Sequence, residues 1–430
     1  MRSRRILAGL ATAVLLIGAG LTREPQVAQA SPRAPSTAES LRASPANHVV
    51  GKAQPDATVG HLEHPARLAS LFERLQALEA HRAGADVRIV QFGDSHTASD
   101  YGTSVARAQL ARRFGDGGRG FIPLGPPHLR LFQAGELVGR GVGFEPLLGS
   151  SPKLRDAPDG FFGPTGVAME ARAVGSFLGS ELSASADRFE IAYLAQPGGG
   201  SFDVLIDGQK RARVSTAGAT KAAAWSELVV TRRPHSLETR AVGDGPVRLF
   251  GTRLEDDAAG VTWDALGING AKATTLLATD EAHFTAQLAH IAPALVVVAY
   301  GTNESGDSTT TPEDHAVALR SLLSRARASR AECLVLGPPD RGARTLAKLG
   351  LVIAVQRRAA DEAGCAFYDQ QGAMGGTNAI GRWAAESPRR AQSDFVHLTR
   401  SGYAVVGQAL ADDLIAAYET WKRERVVATR

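Results

Sequence analysis

The chain has 430 residues, which is too many for one small hydrophobic core and enough for two domains. Its formal net charge is +4, but residues 1–30 hold four arginines and one glutamate, so the remainder carries +4 − 3 = +1. That small charge does not indicate a nucleic-acid-binding surface, and two cysteines are too few for a metal cluster of their own.

The first thirty residues predict an export signal. A basic segment at residues 1–5 precedes an apolar stretch at residues 6–21, and the Ala-Gln-Ala sequence at residues 28–30 fits the small-x-small cleavage rule. The apolar stretch is short for a membrane span and is followed by Thr-Arg-Glu-Pro, so we favour a cleaved signal over a membrane anchor. We therefore expect an exported protein, periplasmic or secreted, with no stable membrane span after cleavage.

The next segments predict a linker and then the start of an α/β unit. Residues 31–60 are rich in Ala, Pro and Ser and lack periodic apolar spacing, whereas residues 64–81 carry apolar side chains at helical spacing. Residues 87–92 predict a strand that runs into Gly-Asp-Ser ending at Ser95, and residues 104–114 predict the following helix. Ser95 therefore falls at the carboxyl edge of a strand, where open α/β sheets place their ligand sites.

Residues 129–257 have a different pattern. Short segments alternate apolar and polar residues, for example residues 188–194 and 202–206, and turn sequences such as Asp207-Gly208 separate them. Short strands at this spacing predict a β-sandwich.

The α/β pattern returns after Trp263. Predicted strands at residues 295–300, 333–337 and 365–369 alternate with predicted helices, and a last helix over residues 405–421 closes the chain. This alternation predicts a parallel sheet covered by helices on both faces. Cys333 and Cys365 fall on two of these strands, and the sequence leaves open whether they form a disulfide or stay as buried thiols.

A serine early in the chain and an Asp-x-x-His sequence late in the chain predict nucleophilic catalysis. A serine hydroxyl such as that of Ser95 needs an imidazole to take its proton, and the imidazole needs a carboxylate to orient it. Asp394 and His397 are three residues apart, and in a helical turn that spacing brings the two side chains onto one face. The sequence therefore predicts Ser95 as nucleophile, His397 as base and Asp394 as the orienting carboxylate.

Acyl transfer also requires hydrogen-bond donors for the developing oxyanion. Two turns supply them: residues 266–271, which contain Gly267 and Gly270, and residues 301–304, which contain Asn303. With the N–H of Ser95, these residues predict an oxyanion hole. No metal or organic cofactor is implied by this chemistry.

These motifs, in this order, resemble those of the SGNH (GDSL-type) hydrolases. Gly-Asp-Ser, a glycine turn, Gly-x-Asn-Glu and Asp-x-x-His follow one another along the chain. The resemblance implies a three-layer α/β/α domain with Ser95, Asp394 and His397 as the catalytic triad. It also implies that Ser95, Gly270 and Asn303 form the oxyanion hole, with Gly267 as the alternative placement for the glycine.

Residues 93–98, 263–271 and 299–304 carry a narrower resemblance, to bacterial peptidoglycan O-acetylesterases. Those enzymes have a β-sandwich related to carbohydrate-binding modules between the serine and glycine blocks. Here 270 − 95 = 175 residues separate Ser95 from Gly270, far more than one crossover needs. The resemblance implies a discontinuous catalytic domain, residues 61–128 and 258–430, with residues 129–257 inserted. It also implies that the enzyme removes O-acetyl groups from a cell-envelope polysaccharide, with peptidoglycan as the first candidate. The binding partner would then be the acetylated glycan.

Other interpretations stay open at this point. A polysaccharide O-acetyltransferase would use the same residues, and a non-catalytic polysaccharide-binding protein would carry an idle hydrolase domain. Asp394 has the residue type of a helix N-cap, and Asn303 has that of a residue that caps a turn. Gly270 has an alternative role in backbone geometry alone. His96 and the tryptophans Trp225 and Trp263 are interpreted as structural.

Overall fold

A computed structural model of the protein describes residues 58–125, 133–148 and 159–428. The predicted signal at residues 1–30 and nearly all of the predicted linker at residues 31–60 lie outside this part of the chain. No helix within the described ranges is both long and apolar enough to cross a bilayer.

The strands within these ranges are β1 (Thr58–Val59), β2 (Leu62–Glu63), β3 (Val87–Gly93), β4 (Gly120–Ile122), β5 (Glu136–Val142), β6 (Glu145–Leu148), β7 (Val167–Ala171), β8 (Phe177–Leu182), β9 (Ala186–Ala195), β10 (Ser201–Ile206), β11 (Gln209–Ser215), β12 (Ala222–Arg233), β13 (Ser236–Ala241), β14 (Val247–Glu255), β15 (Val261–Gly267), β16 (Leu295–Ala299), β17 (Glu332–Leu336) and β18 (Ala366–Tyr368). The helices are α1 (Ala69–Glu79), α2 (Ser95–Ala98), α3 (Tyr101–Phe114), α4 (Ala273–Leu277), α5 (Glu281–Ile291), α6 (Thr302–Gly306), α7 (Pro312–Ala328), α8 (Leu346–Glu362), α9 (Gln370–Ala373), α10 (Ala379–Ala385) and α11 (Arg400–Ala428).

A mostly parallel sheet forms the centre of the α/β part, with strand order β1-β2-β18-β17-β16-β3-β15. The five strands from β18 to β15 run parallel, and the short β1–β2 hairpin adds to the β18 edge in antiparallel fashion. Neighbouring residues on one strand enter different hydrophobic clusters: Ile89 and Val297 join one cluster, and Val90 and Val296 the other. Because side chains alternate along a strand, these clusters lie on opposite faces of the sheet.

Helices cover both faces. The cluster that contains Val90 includes apolar residues of α4, α5, α7 and α8, and the cluster that contains Ile89 includes residues of α1, α3 and α11. The fold is thus mixed α/β, and the predicted parallel sheet with helices on its two faces is confirmed by the structure. Strand β15 and helix α5 are present where the sequence analysis predicted neither.

Antiparallel strands occupy the crossover between β3 and β15. They form a five-stranded sheet, β11-β10-β13-β8-β5, and a second sheet that contains β12-β9-β14-β7-β6. Side chains of both sheets share a single buried cluster, which includes Phe202 of one sheet and Phe189 of the other. Strand β4 also pairs with β14, so the antiparallel pairing starts at Gly120, before the boundary at residue 129 that the sequence pattern predicts.

Buried ion pairs connect this inserted segment to the central sheet. Glu255 at the end of β14 accepts hydrogen bonds from Arg88 of β3, Arg188 of β9 and Arg253. Arg253 also pairs with the buried Asp264 of β15. Buried charges are costly unless they are paired, so this network holds the insert in one position on the α/β part.

The two tryptophans singled out in the sequence differ in burial. Trp225 of β12 is half-buried and stacks on the exposed His290 of α5 with ring centroids 3.6 Å apart. Trp263 is fully buried, with its Nε1 donating to Gln91 Oε1, so it packs inside the molecule. The two cysteines form a disulfide, Cys333–Cys365, which joins β17 to the residue before β18 and resolves the alternative that the sequence left open.

Candidate active site

Ser95 lies in a tight turn where β3 meets α2. Asp94 caps the short helix: its Oδ1 accepts the N–H of His96 at 2.9 Å, and the backbone then turns so that Ser95 begins α2. The Ser95 residue is 7% exposed, which leaves little more than its hydroxyl accessible from the sheet edge. The turn thus places Ser95 where the sequence pattern predicted it, beyond the carboxyl end of a central strand.

Two glycines allow this turn to pack closely. A Cβ at Gly93 would lie 2.2 Å from Thr97 Oγ1, and a Cβ at Gly267 would lie 2.1 Å from the backbone nitrogen of Ala98. The buried Gln91 donates to Thr97 Oγ1 at 3.0 Å and accepts from Trp263, so it supports the turn from below. Gln91 was not singled out from the sequence. Its signal there is a polar side chain inside an otherwise apolar strand, which indicates a role beyond core packing.

Asp394 and His397 lie in a loop, not in the helical turn that their spacing predicted. The loop is irregular, and Phe395 between them has φ of +54°, a left-handed conformation that breaks any helix. Asp394 Oδ1 accepts the N–H groups of Val396 and His397, both at 3.0 Å. The alternative that Asp394 caps the last helix is wrong, because α11 begins at Arg400.

The structure joins the three predicted side chains into one hydrogen-bonded series. Ser95 Oγ lies 2.9 Å from His397 Nε2, and His397 Nδ1 lies 2.7 Å from Asp394 Oδ2. An imidazole between a hydroxyl and a carboxylate can take the hydroxyl proton while the carboxylate stabilises the imidazolium. Because Ser95 and His397 are 302 residues apart, this contact exists only in the folded chain.

The charge of Asp394 suits this arrangement. Partial burial acts to raise the pKa of Asp394, but hydrogen bonds from the His397 ring and from the N–H groups of Val396 and His397 outweigh it and lower that pKa below its ordinary value. The carboxylate therefore stays ionised at neutral pH and holds the Nδ1 proton of His397, which leaves Nε2 free to face Ser95.

The two predicted oxyanion turns lie side by side. Asn303 Nδ2 donates to the carbonyl of Ala271 at 2.8 Å, and Glu304 accepts the N–H groups of Ala273 and Gly301 at 2.9 and 3.0 Å. These bonds tie the turn after β15 to the start of α6. Asn303 therefore does not act as a simple turn cap, because its side chain bonds the neighbouring turn.

The two candidate glycines differ in their surroundings. Gly270 has φ of +76°, and no atom lies within 4 Å of the position a Cβ would take. Gly267 packs against α2, since a Cβ there would also lie 2.6 Å from the carbonyl oxygen of Asp94. The N–H groups of Ser95 and Gly270 donate to no acceptor within the described residues. The geometry therefore favours Gly270 over Gly267 as a donor to a bound oxyanion.

Two polar residues, His96 and Tyr403, lie behind the catalytic residues and support them. Only His96 was singled out from the sequence. His96 shares a hydrogen bond of 2.9 Å with the hydroxyl of Tyr403, and its ring centroid lies 5.5 Å from that of His397. Burial, with the nearby His397, lowers the pKa of His96 to about 3, so its ring stays neutral beside the base. Nothing in the sequence indicated that Tyr403 supports the site, because a tyrosine on an amphipathic helix is typical of core packing.

Asp94 at the site is almost completely buried, as is Glu304. Desolvation raises the pKa of Asp94 to about 7, and the nearby Glu304 adds to this effect, while the hydrogen bond from His96 N–H acts in the opposite direction. Its role in the turn agrees with the prediction that Asp94 bonds backbone groups and is not a triad member. No cluster of three or more potential metal-ligating residues occurs in the part of the chain described here.

A mixed α/β fold with a hydroxyl, an imidazole and a carboxylate in hydrogen-bond series defines the class of serine-dependent α/β hydrolases. The profile of the GDSL-like lipase/acylhydrolase family matches residues 225–405, a stretch that contains Asn303, Asp394 and His397. Ser95 lies outside that stretch, because the insert separates it from the other blocks. Residues 225–405 are thus similar to this family, and the match supports an esterase.

Solved structures extend the comparison. A structure described as a peptidoglycan O-acetylesterase in action matches with 25% sequence identity and a TM-score of 0.67, over 82% of this chain and 96% of that one. A family two carbohydrate esterase from Clostridium thermocellum in complex with cellohexaose matches at 13% identity, over 59% and 95% of the two chains, with a TM-score of 0.28. The acetylxylan esterase Axe2 from Geobacillus stearothermophilus matches at 17%, over 36% and 73%, with a TM-score of 0.30. No curated protein matches the chain.

Proposed function

We propose that the protein removes O-acetyl groups from a cell-envelope polysaccharide, and that the polysaccharide is peptidoglycan. The observation that carries this proposal is the hydrogen-bonded series of Ser95, His397 and Asp394 on a fold that spans 96% of a peptidoglycan O-acetylesterase. A hydroxyl held at 2.9 Å from an oriented imidazole is a nucleophile ready for acyl transfer. A non-catalytic binding protein would have no need to keep this arrangement.

The reaction has two halves. Ser95 Oγ attacks the acetyl carbonyl carbon while its proton passes to His397 Nε2, and the carbonyl oxygen becomes an oxyanion. His397 then gives that proton to the sugar oxygen as the bond between this oxygen and the acetyl carbon breaks, so the sugar leaves as a hydroxyl and an acetyl ester remains on Ser95. Water then attacks the acetyl carbon while His397 takes a proton from it. The bond between the acetyl carbon and Ser95 Oγ breaks, His397 returns the proton to Oγ, and acetate and the free serine hydroxyl are the products.

The oxyanion is proposed to bind between three donors. These are the N–H groups of Ser95 and Gly270 and the side-chain amide of Asn303, whose orientation is held by its bond to the Ala271 carbonyl. Replacing Asn303 with alanine should reduce kcat by about 10²–10³, as for loss of one oxyanion donor. An unchanged kcat in acetate-release assays would remove Asn303 from the oxyanion hole.

The insert is proposed to be a β-sandwich similar to carbohydrate-binding modules. Two antiparallel sheets with a shared buried cluster support this interpretation. The export signal at residues 1–30 and a periplasmic or secreted location belong to the same proposal, because an acetylated wall polymer lies outside the cytoplasm.

The test is acetate release by the mature chain, residues 31–430, from O-acetylated peptidoglycan and from acetylated xylan, beside Ser95→Ala. Release from peptidoglycan that is lost in Ser95→Ala supports the proposal. Release from xylan alone would move the substrate to another polysaccharide. If neither polymer releases acetate while p-nitrophenyl acetate is cleaved, the reaction is a transfer to a sugar hydroxyl or acts on a different ester.

A further inference from the structure

A buried carboxylate links the two turns of the proposed oxyanion hole. Glu304 of α6 is 1% exposed. Its Oε1 accepts the N–H of Ala273, which lies three residues after Gly270. Its Oε2 accepts the N–H of Gly301, which lies two residues before Asn303. A shift of this carboxylate would therefore move the backbone that carries both donors.

The side chain of His315 supports Glu304 from the next helix. His315 lies on α7 and is 1% exposed, and its Nδ1 lies 3.1 Å from Glu304 Oε1. Burial acts to raise the pKa of Glu304, but the interaction with His315 and the hydrogen bond from the N–H of Ala273 outweigh it and lower that pKa below its ordinary value. The carboxylate is therefore ionised at neutral pH, and a hydrogen on Nδ1 of the ring has a strong acceptor.

A third helix determines which nitrogen of His315 carries the hydrogen. Gln356 of α8 is fully buried, and its Nε2 lies 2.7 Å from the carbonyl oxygen of Tyr300 and 2.9 Å from His315 Nε2. A carbonyl oxygen can only accept, so the amide nitrogen faces it, and the second hydrogen of that nitrogen points to the ring. His315 Nε2 is thus the acceptor, and Nδ1 keeps the hydrogen that faces Glu304.

Close packing at a glycine keeps this series in place. Gly301 has φ of +119°, and a Cβ there would lie 2.6 Å from Gln356 Nε2. The glycine therefore lets the amide approach the backbone at the end of β16. The carboxylate, the imidazole and the amide come from three helices, so their order is a product of the fold.

The role of this series is to hold position. The side chain of His315 is 0% exposed, whereas that of the base His397 is 32% exposed. The ring nitrogens of His315 face Glu304 and Gln356, and not Ser95. His315 therefore acts on the reaction through the carboxylate, which in turn holds the two turns.

We propose that His315 and Gln356 are positioning residues of the reaction. They hold the carboxylate of Glu304, and that carboxylate fixes the distance between the two turns in which the oxyanion donors lie. The proposal rests on the esterase function proposed above and deepens it, because it extends the machinery of the reaction to two helices behind the site.

The first test is the cleavage of p-nitrophenyl acetate by His315→Leu, an apolar replacement of similar size. The kcat should fall by about 10–100-fold, the usual loss when a residue that orients a reacting group is removed. The KM should change little, because the oxyanion is formed only in the transition state. His315→Asn keeps a donor near the position of Nδ1 and should restore most of the rate.

A second buried histidine supplies the matched control. His283 of α5 is 4% exposed, and its Nε2 lies 2.7 Å from the carbonyl oxygen of Phe162. His283→Leu removes a buried hydrogen bond as His315→Leu does, so the melting temperatures of the two variants should fall to a similar degree. The kcat of His283→Leu should stay at the wild-type value.

A double-mutant cycle separates positioning from a general effect on the fold. In the Asn303→Ala background, His315→Leu should lower kcat by no more than about threefold, since one of the donors that it positions is already missing. A merely structural role would give the same factor in both backgrounds. Gln356→Met should show the same pattern with a smaller fall of about three- to tenfold. It completes the cycle if His315→Leu does not fold.

The outcomes distinguish this inference from the function on which it rests. Equal factors in the two backgrounds, or equal kcat values for His315→Leu and His283→Leu, overturn the positioning role, while cleavage by the wild type still supports the esterase. Absence of cleavage of p-nitrophenyl acetate and of both acetylated polymers by the wild type overturns the proposed function and the positioning role together.

Discussion

The turn that carries Ser95 and the loop that carries Asp394 and His397 meet at one hydrogen bond, yet they are built in different ways. The turn is buried: Asp94 is 1% exposed and Ser95 is 7% exposed, and the backbone of two other elements presses against it at Gly93 and Gly267. The side chains of Asp394 and His397 are 45% and 32% exposed, and their loop is shaped by bonds between residues two or three apart.

The difference shows how the two parts divide their tasks. The nucleophile is held by close packing, which tolerates no added atoms, so its position is rigid. The base is held by a short hydrogen-bonded loop at the surface, where substrate and water have access and a proton can be exchanged. Changes to the turn should therefore damage folding, and changes to the loop should damage chemistry while the fold survives.

The largest effect on rate should come from Asp394→Asn. The amide no longer fixes the His397 tautomer or stabilises its charged form, so kcat should fall by about 10³–10⁴. Because the side chain is exposed, the melting temperature should change by roughly 2 °C or less. Acetate-release kinetics and thermal unfolding of the same preparation check both parts. A large loss of stability would contradict the view that this loop is chemical and not structural.

Two glycine substitutions test whether close packing holds the turn that carries Ser95. Gly267→Ala places a Cβ against the backbone of α2, which cannot move cheaply, so unfolding free energy should fall by about 3 kcal/mol or more. Gly270→Ala meets open space and suffers only from its positive φ, a cost of about 1 kcal/mol. Denaturant titrations of the two variants are directly comparable. Equal losses would show that packing at Gly267 is not what holds the nucleophile turn.

The buried acid of the turn predicts a dependence of stability on pH. The pKa of Asp94 is raised to about 7 from 3.8, so the stability linked to its protonated form is complete below about pH 4 and is lost as the pH rises through 7. Asp94→Asn stays neutral, so its melting temperature relative to wild type should rise over this range by roughly 3–6 °C and then level off. A difference that is constant from pH 4 to 8 would contradict burial of the carboxylate.

The smallest expected effect on rate comes from a substitution at the contact between the Ser95 turn and the His397 loop. Tyr403→Phe removes the hydrogen bond to His96, whose ring packs beside His397, so kcat should fall by about three- to tenfold. Tyr193→Phe on β9 of the insert is the matched control and should retain wild-type kcat. Steady-state kinetics on p-nitrophenyl acetate suffices, and a wild-type rate in Tyr403→Phe would show that His96 does not help to position the base.

The sequence by itself determined the two kinds of region, though not β15 or α5, and the reacting groups. Alternation of apolar strands with helices predicted the parallel sheet, and period-two segments predicted the antiparallel insert, because side-chain periodicity follows directly from backbone geometry. The chemistry of acyl transfer led to Ser95, Asp394 and His397 and to the turns at residues 266–271 and 301–304, and the resemblance to SGNH hydrolases then implied Gly270 and Asn303 within those turns.

Only the tertiary structure decided how these groups meet. The hydrogen bond between Ser95 and His397 spans 302 residues, and no local pattern specifies such a distance. The spacing of Asp394 and His397 suggested a helix, but φ at Phe395 makes it a loop, and the packing of Gly267 against α2 distinguishes it from Gly270. The support from Tyr403 and the pairing of the two cysteines likewise depend on contacts between distant elements, which sequence periodicity does not encode.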